Sequence, residues 1–488
     1  MSEMRWLDYG VILAYLIGIT AFGYRFRESQ KTLKDYFLGG RDAPWWAIAF
    51  SIVSAETSTL TVIGTPAISF NGNFGFLQVV FGYLLARIII SVLFLPQYFR
   101  GEMFTAYELM LRRFGPNIRK LTAGSFLGLR ALAEGVRVFA ISIVVSIVLG
   151  TGELLSALAI VSLTLFYTFE GGMTAVIWTD VIQMCLYVAG AILSVFVILQ
   201  QIPGGWDHVA ELGRAAHKFQ VFDFAVSMTP AFFAKTYSFW AGVLGGCFLT
   251  TASHGTEQLM VQRLLSAKNE REARLALFSS WFVILFQFTL FLVIGVMLWV
   301  YYQDANLPPP EPRDRIYPKF IWDFLPHGVS GLVIAAILAA AMSNLSAALN
   351  ALASTTVMDF IKPADKVQRS DSQYLSLAKK MTVLWCAILL GIALLARSIE
   401  SVLEAGLGIA SIIYGALLGV FLLGLLTKRT GERAAMIGMS CGLAISIYVK
   451  FYTSIAWTWY VLIGSSITFL VALAASYLVT EREKRLHV

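Results

Sequence analysis

The sequence predicts an all-α integral membrane protein with about 13 transmembrane helices, and three observations support this prediction. First, 58% of the 488 residues are hydrophobic and only 14% are charged, whereas about 25% are charged in a soluble domain. Second, the apolar residues form runs of about 20, the length that crosses a bilayer as a helix. Third, the polar segments between the runs are short, so we expect a single transmembrane domain over residues 1–488.

Thirteen apolar runs are long enough to be spans. Their approximate bounds are 8–26, 45–70, 74–99, 119–150, 153–170, 175–201, 236–262, 275–302, 328–359, 376–396, 402–427, 432–450 and 457–479. The second and seventh runs are polar at their centres, Ser54–Thr59 and Thr250–Gln258. Two interrupted helices at corresponding places, five spans apart, are typical of inverted-repeat transporters. We therefore expect repeat one at about 45–201, repeat two at about 236–427, and three helices outside the repeats.

The charge distribution predicts the orientation in the membrane. With the N-terminus outside, 25 of the 37 Lys and Arg residues lie on the cytoplasmic side and 9 on the outer side. The positive-inside rule favours this arrangement. We expect a multi-pass protein of a bacterial-type inner cell membrane, with a cytoplasmic C-terminus. The two long outer loops, 202–235 and 303–327, are expected to be lids or caps.

Several function classes are excluded or disfavoured by the residue inventory. An enzyme is not predicted and no catalytic residue is assigned, because the chain has no zincin, hydrolase-elbow or Walker-type motif. The net charge of +7 is spread over short loops, which indicates contact with the lipid bilayer and not with nucleic acid. One asymmetric polar site favours a carrier over a channel. A transporter-fold membrane sensor and a sodium-independent carrier remain alternatives, and no obligate protein partner is evident.

The ninth run contains a cluster of small polar residues. Ala340, Ser343 and Asn344 share one face of a helix. A sodium ion needs several oxygen ligands, which hydroxyl and amide side chains can supply together with the free carbonyl groups of an interrupted helix. Tight packing of small residues against a neighbouring helix is the alternative interpretation.

Four segments together resemble the solute:sodium symporter family over essentially the whole chain. They are Asp35–Arg41, the segment from Gly171 to Asp180, Gln262-Arg263 and the alanine–serine–asparagine run of the ninth span. The resemblance implies a LeuT-like fold, which is a 5+5 inverted repeat, here with one extra N-terminal helix. It also implies symport of Na+ with a small organic solute by alternating access.

The resemblance implies a sodium site as well. The implied ligands are the backbone oxygens of Ser54, Thr57 and Ala340 and the side-chain oxygens of Ser343 and Asn344. The family more often has Ser or Thr where this chain has Asn344. A second sodium site would use Asp180 and Ser346, but Ala347 replaces a further hydroxyl, so we expect one sodium ion. Capping of its own helix is the alternative role of Asp180.

Ionisable residues deep within spans indicate function, because an unpaired charge there costs at least roughly 3 kcal/mol. Glu56 and Arg137 are the main cases. By resemblance, Arg137 holds a solute carboxylate, and Glu56, Ser58 and Thr61 face the solute. A structural ion pair between Glu56 and Arg137 is the alternative, and Glu134, three residues before Arg137, is a rival partner.

Further candidates for contact with the solute lie in the polar centre of the seventh span and on the third and eleventh spans. They are Gln78, Thr250, His254 and Tyr414. His254 would make transport depend on pH, because histidine titrates near neutrality, although a lone histidine is often a packing residue. Arg87 is a weaker candidate, with a position at the membrane interface as the alternative.

Overall fold

A computed structural model describes residues 5–25, 41–100, 106–167, 173–227, 229–362, 371–398 and 401–478. Within these ranges the chain is helical, apart from loops and one isolated bridge between Ala43 and Ala267. Seven of the described helices are long and apolar enough to cross a membrane, and one bent pair of helices adds an eighth. The predicted all-helical membrane fold is thus confirmed, while the number of 13 spans stays a prediction.

Eight helices form the first part of the described chain. They are α1 Arg5–Tyr24, α2 Trp45–Glu56, α3 Thr59–Asn71, α4 Phe74–Tyr98, α5 Ala106–Arg113, α6 Pro116–Leu149, α7 Glu153–Tyr167 and α8 Met173–Gln201. A π-helical turn, Ile90–Phe94, lies within α4. Helix α6 ends at Gly150, whose φ of 63° is a left-handed conformation that favours glycine.

Eleven helices form the second part. They are α9 Gly205–Ala215, α10 Pro230–Ala234, α11 Phe239–Thr256, α12 Gln258–Leu265, α13 Glu270–Asp304, α14 Ile316–Phe324, α15 Val329–Thr355, α16 Asp371–Leu395, α17 Val402–Leu426, α18 Glu432–Tyr452 and α19 Tyr460–Leu478. Helices α9 and α10 lie within the predicted outer loop 202–235.

Glycine allows α4 and α11 to approach closely. A Cβ atom on Gly82 would lie 2.3 Å from the Val243 carbonyl oxygen, and one on Gly246 would lie 2.1 Å from that of Val79. Backbone contacts of this kind bring membrane helices together where the lipid supplies no hydrophobic driving force. The crossing therefore holds the middle of α4 against the helix that leads to the second interruption.

Helix α1 is anchored to the start of α15 by a buried carboxylate. Asp8 Oδ1 accepts hydrogen bonds from the Gly328 backbone N–H at 2.6 Å, the Ser330 hydroxyl at 2.7 Å and the Gly331 N–H at 3.0 Å. These donors belong to the first turn of α15 and the residue before it, where helical N–H groups have no partner within the helix. The N-terminal helix thus caps the helix that carries the predicted sodium ligands.

The loop at residues 202–235 is attached to the end of α3. Lys218 Nζ donates to the Phe70 carbonyl oxygen at 2.7 Å and lies 4.7 Å from the centre of the Trp299 ring. Burial lowers the pKa of this ammonium group, because desolvation disfavours the charged form. A cation at the C-terminal end of a helix is favourable to its dipole, so this contact links the loop to α3 of the bent pair.

Candidate solute and sodium site

The second predicted span is interrupted where its polar residues lie. Helices α2 and α3 meet at an angle of 64°, and Thr57 and Ser58 form the break between them. A helix end leaves backbone carbonyl groups without helical partners. The Thr57 side chain is held by Gln287 of α13, whose Nε2 lies 2.8 Å from its Oγ1. The predicted first interruption is confirmed.

The seventh predicted span is interrupted too. Helix α11 ends at Thr256, Glu257 has an extended conformation with ψ of 132°, and α12 begins at Gln258. The Glu257 carboxylate accepts hydrogen bonds from Arg130 Nη2 at 2.5 Å and from the Tyr414 hydroxyl. The second break therefore contains a buried carboxylate, whereas the first break contains hydroxyl side chains.

A cavity of about 130 Å³ lies between the two breaks. Seven of the eight predicted solute-facing residues line it. They are Glu56, Ser58, Thr61, Arg137, Thr250, His254 and Tyr414. The predicted sodium ligand Asn344 lines the cavity as well. A separate void of about 10 Å³ is lined by Asn344, Ser58 and Arg137. Such a void is large enough for about one water molecule.

Gln78 is the exception among the predicted solute-facing residues. It is fully buried outside the lining of the cavity, where its Nε2 donates to the Gly75 and Tyr237 carbonyl oxygens at 3.1 and 3.3 Å. Its Oε1 accepts from the Asp223 N–H at 3.1 Å. The side chain therefore ties the start of α4 to the loop that contains Asp223. This geometry does not support contact of Gln78 with the solute, which stays a prediction.

Glu56 is paired with Arg87 and not with Arg137. Arg87 Nη2 donates to both Glu56 oxygens, at 2.9 and 3.2 Å, and His254 Nε2 lies 2.8 Å from Glu56 Oε1. The predicted ion pair between Glu56 and Arg137 is therefore wrong. The interfacial position for Arg87 is wrong too, because its side chain is 0% exposed and its Nε donates to the Leu277 carbonyl oxygen at 3.0 Å.

Arg137 contacts Glu134, the rival partner considered from the sequence. Glu134 also accepts from Arg130 Nη1 at 2.8 Å, and Arg130 continues to Glu257. Two arginines of α6 thus share one carboxylate. The three residues of α6 follow one another at spacings of four and three, so they lie on one helix face.

The predicted sodium ligands lie on α15 and at the first break. Ser54 and Thr57 are buried at the end of α2, and Asn344 and Ser346 are partly buried on α15. The backbone of Ala340 and Ser343 lies in α15, and their side chains are outside the described part. No cluster of three or more His, Cys, Asp or Glu residues occurs among the described residues. Coordination by these oxygens stays a prediction.

Asp180 has a different environment from either predicted role. It is the eighth residue of α8, beyond the first turn, so it does not cap the helix. Its Oδ2 accepts from Ser51 Oγ at 2.7 Å and from Arg263 Nη2 at 3.0 Å. Arg263, the second residue of the Gln262-Arg263 motif, was not predicted to belong here and also lines the cavity. An arginine therefore already neutralises the carboxylate expected for a second sodium.

Sequence analysis also missed the roles of Arg130 and Glu257. The helical spacing of Arg130, Glu134 and Arg137 was a usable signal, because charges at such intervals interact along one face. Glu257 lies within the polar centre of the seventh span. Residues 35–40 and 171–172, which belong to two of the segments that carry the family resemblance, lie outside the described residues.

Comparison with known proteins agrees with this geometry. The profile of the sodium:solute symporter family matches residues 36–442. The chain is 30% identical over 425 residues to sodium-coupled monocarboxylate transporter 1 of Xenopus laevis, covering 86% of this chain and 67% of that protein. It is 28% identical over 459 residues to the human sodium/iodide cotransporter, covering 91% and 69%.

A solved structure with a similar fold is the substrate-bound outward-open state of a Na+-coupled sialic acid symporter. The match has a TM-score of 0.84 and 25% sequence identity, and it covers 98% of this chain and 99% of that one. These proteins are transporters and not enzymes, and neither a sensor nor a sodium-independent carrier is favoured. The chain belongs to the sodium:solute symporter family, and it is a multi-pass membrane protein that couples the movement of Na+ to symport of a small organic solute.

Proposed function

We propose that the solute carries a carboxylate, that it binds in the cavity between the two helix breaks, and that Arg137 holds it. The state of the Arg137 side chain is the observation that carries this proposal. The side chain is 27% exposed, its Nε has no hydrogen-bond partner, and its carboxylate partner Glu134 is shared with Arg130. A guanidinium with free donors is suited to a carboxylate, which it can bind through two parallel hydrogen bonds.

The rest of the cavity supports a solute with uncharged polar groups beyond its carboxylate. Glu56 is already neutralised by Arg87, so it does not require a cationic group on the solute. Hydroxyl side chains of Ser58, Thr61 and Thr250 line the cavity and can exchange hydrogen bonds with hydroxyl or keto oxygens. The names of the monocarboxylate and sialic acid transporters to which the chain is similar fit this chemistry.

Sodium is proposed to bind at the first break. The backbone oxygens of Ser54 and Thr57 are near a helix end, where carbonyl groups lack helical partners, and α15 supplies Ala340, Ser343 and Asn344. We infer a stoichiometry of one sodium per cycle, because Arg263 occupies Asp180. Coupling requires that bound sodium favour the outward-open state that accepts the solute.

The proposed transport direction and topology complete the mechanism. We infer that sodium moving down its gradient drives import of the solute. We also infer that the protein lies in a bacterial-type inner membrane, with its N-terminus outside and its C-terminus in the cytoplasm. The breaks in α2/α3 and α11/α12 support a 5+5 inverted repeat with an extra N-terminal helix. The bent helices of each repeat are expected to move against the remaining helices, so that the cavity opens alternately to each side.

Uptake by reconstituted protein tests the proposal. We expect proteoliposomes to accumulate labelled pyruvate or sialic acid when the outer solution contains sodium, and to lose this accumulation with potassium or choline. Equal uptake with all three cations would contradict the assignment of sodium as the coupling ion. Binding of neither acid at any sodium concentration would contradict the carboxylate assignment.

Ser343→Ala tests the sodium site. Removal of one hydroxyl ligand should raise the sodium concentration for half-maximal uptake about tenfold, a loss on the order of 1.4 kcal/mol, with little change in the maximal rate. Asn344→Ser should be tolerated as the matched control, because it supplies a hydroxyl oxygen in place of the amide oxygen. An unchanged sodium dependence in Ser343→Ala would show that the site is wrongly placed.

A further inference from the structure

The charged groups around the cavity balance one another. Four arginines are each paired with a carboxylate: Arg87 with Glu56, Arg137 and Arg130 with Glu134, Arg130 with Glu257, and Arg263 with Asp180. Four cationic groups therefore face four carboxylates. His254 also lines the cavity. Its imidazole is a base outside these arginine–carboxylate pairs, and it can bind one proton.

The His254 side chain can bind a proton, although the neighbouring Glu56 carboxylate already has Arg87 as its counter-ion. Its side chain is 3% exposed, and its Nε2 lies 2.8 Å from Glu56 Oε1 without the alignment of a hydrogen bond. Glu56 already receives two hydrogen bonds from Arg87. The carboxylate is thus neutralised without the imidazole, and a proton on His254 adds one positive charge to the cavity.

The hydroxyl of Ser253 can satisfy both protonation states of the imidazole. Ser253 Oγ lies 2.8 Å from His254 Nδ1 and 3.4 Å from the Thr250 carbonyl oxygen. With neutral His254, the hydroxyl donates to Nδ1. With protonated His254, Nδ1–H donates to the hydroxyl oxygen, and the hydroxyl hydrogen turns to Thr250. A hydroxyl group is both donor and acceptor, so neither state leaves Nδ1 unpaired.

We propose that His254 is a proton-binding site of the solute cavity and that an anionic solute binds more tightly when this site is occupied. The inference rests on the proposed carboxylate solute and adds a proton to its binding reaction. The proton comes from water on the side to which the cavity is open. It binds Nδ1 of a neutral imidazole that keeps its Nε2 proton beside Glu56.

A positive charge on His254 should change the binding of the solute anion more than the charge of any neighbouring side chain. Facing the cavity with it are Glu56 of α2, Tyr83 of α4, Arg130 and Arg137 of α6, Glu257 at the second break, Arg263 of α12 and Tyr414 of α17, with Arg87 behind Glu56. The carboxylates are held by arginines, and arginine and tyrosine do not titrate near neutrality. A charge on His254 therefore acts mainly on a mobile anion within the same small cavity.

The affinity for pyruvate at different pH values tests this inference. Pyruvate is a suitable probe because its carboxyl group stays ionised throughout. At saturating sodium, we expect the Kd of the wild type to fall about tenfold between about pH 8 and pH 6, since unit charges interact appreciably at close range within a protein. His254→Gln should bind pyruvate with the same Kd at both pH values, whatever that Kd is. His208→Gln, at a histidine beside Asp304 outside the cavity, should behave as the wild type.

Proton uptake by the unmodified protein gives a second measurement, which also serves if His254→Gln does not fold. In weak buffer near about pH 7, addition of pyruvate should remove a fraction of one proton per bound anion from solution, as reported by a pH-indicator dye. Pyruvate binding with a constant Kd and no proton uptake would overturn the inference and leave the proposed function standing. If neither pyruvate nor sialic acid binds at any pH, the carboxylate proposal fails and the inference falls with it.

Discussion

Two arginines near the cavity differ in how completely the guanidinium is neutralised: Arg87 lies behind Glu56, and Arg137 lines the cavity. Arg87 is 0% exposed, and its Nε, Nη1 and Nη2 all donate to described partners: Leu277, Tyr83, Ser280 and Glu56. Arg137 is 27% exposed and shares its carboxylate with Arg130. A buried charge without partners costs several kcal/mol, so the contacts of Arg87 stabilise the fold, whereas Arg137 keeps donors for a ligand.

This contrast teaches that depth in the membrane alone does not identify a substrate-binding arginine. Both residues lie within apolar helices that are long enough to cross a membrane. The deciding property is the number of donors left free after folding, because a saturated guanidinium gains little from a ligand. The following predictions test whether the two arginines differ in this way.

Replacement of the buried arginine should have the largest effect. Arg87→Met leaves the Glu56 carboxylate without its main counter-ion, which should lower the free energy of unfolding by about 3–5 kcal/mol. Thermal unfolding in detergent, followed by fluorescence-detected gel filtration, measures the loss. The double variant Arg87→Met with Glu56→Gln should be more stable than Arg87→Met alone, because no buried carboxylate remains. Equal melting temperatures of the single and double variants would show that the pair is not the reason for the loss.

Replacement of the partly exposed arginine should affect binding more than folding. Arg137→Gln should raise the Kd for a carboxylate solute about thirtyfold, on the order of 2 kcal/mol, while it lowers the melting temperature much less than Arg87→Met. Arg137→Lys should also lose most of the affinity, because an ammonium group lacks the planar pair of donors. Scintillation-proximity binding with labelled pyruvate or sialic acid measures both variants.

Sodium binding gives the control for this variant. Arg137→Gln protein should still be stabilised by sodium relative to potassium, because the proposed sodium ligands are other residues. Unchanged solute affinity in folded Arg137→Gln would remove this arginine from the solute site. A loss of stability equal to that of Arg87→Met would show that the two arginines do not differ in this way.

Asp314, in the segment just before α14, is a buried carboxylate that is not paired with an arginine in the described part of the chain. Within the described residues it forms no ion pair; its Oδ2 accepts from the Val402 N–H at 2.9 Å, and its Oδ1 has no hydrogen-bond partner. Burial raises the pKa of this carboxyl to about 6 from 3.8. The folded protein therefore holds a proton that the unfolded chain releases between these values, so the contribution to stability is lost as pH rises towards and above 6.

The smallest predicted effect follows from this carboxyl group. The side chain that Asp314→Asn introduces is uncharged at every pH. The variant should therefore raise the free energy of unfolding at about pH 8 by about 1 kcal/mol, which is less than the full free energy that corresponds to the pKa difference between the folded and unfolded states. At about pH 4 the variant and the wild type should unfold at similar temperatures. A variant that is less stable at the higher pH would show that the ionised carboxylate stabilises the start of α17 after all.

The membrane class, both interrupted spans and several polar residues of the cavity lining were predictable from the sequence. Each depends on local properties, namely the length of an apolar run, a polar segment at its centre, or a charge too costly to bury unpaired. Glu56, Arg137 and His254 were recognised in this way. The resemblance to the family added the expectation that Arg137 faces a solute.

The pairing of these charges was decided by the tertiary structure alone. Glu56 binds an arginine 31 positions away on α4, and the second break joins α6 through Glu257 and Arg130. Gln78 and Arg87 both lie on α4 outside the cavity lining, but Arg87 reaches Glu56, whereas Gln78 bonds to Tyr237 and Asp223. A sequence determines that a helix carries a charge, whereas the rotation and crossing of packed helices determine which partner the charge meets, and those depend on contacts such as that of Gly82 with the Val243 carbonyl.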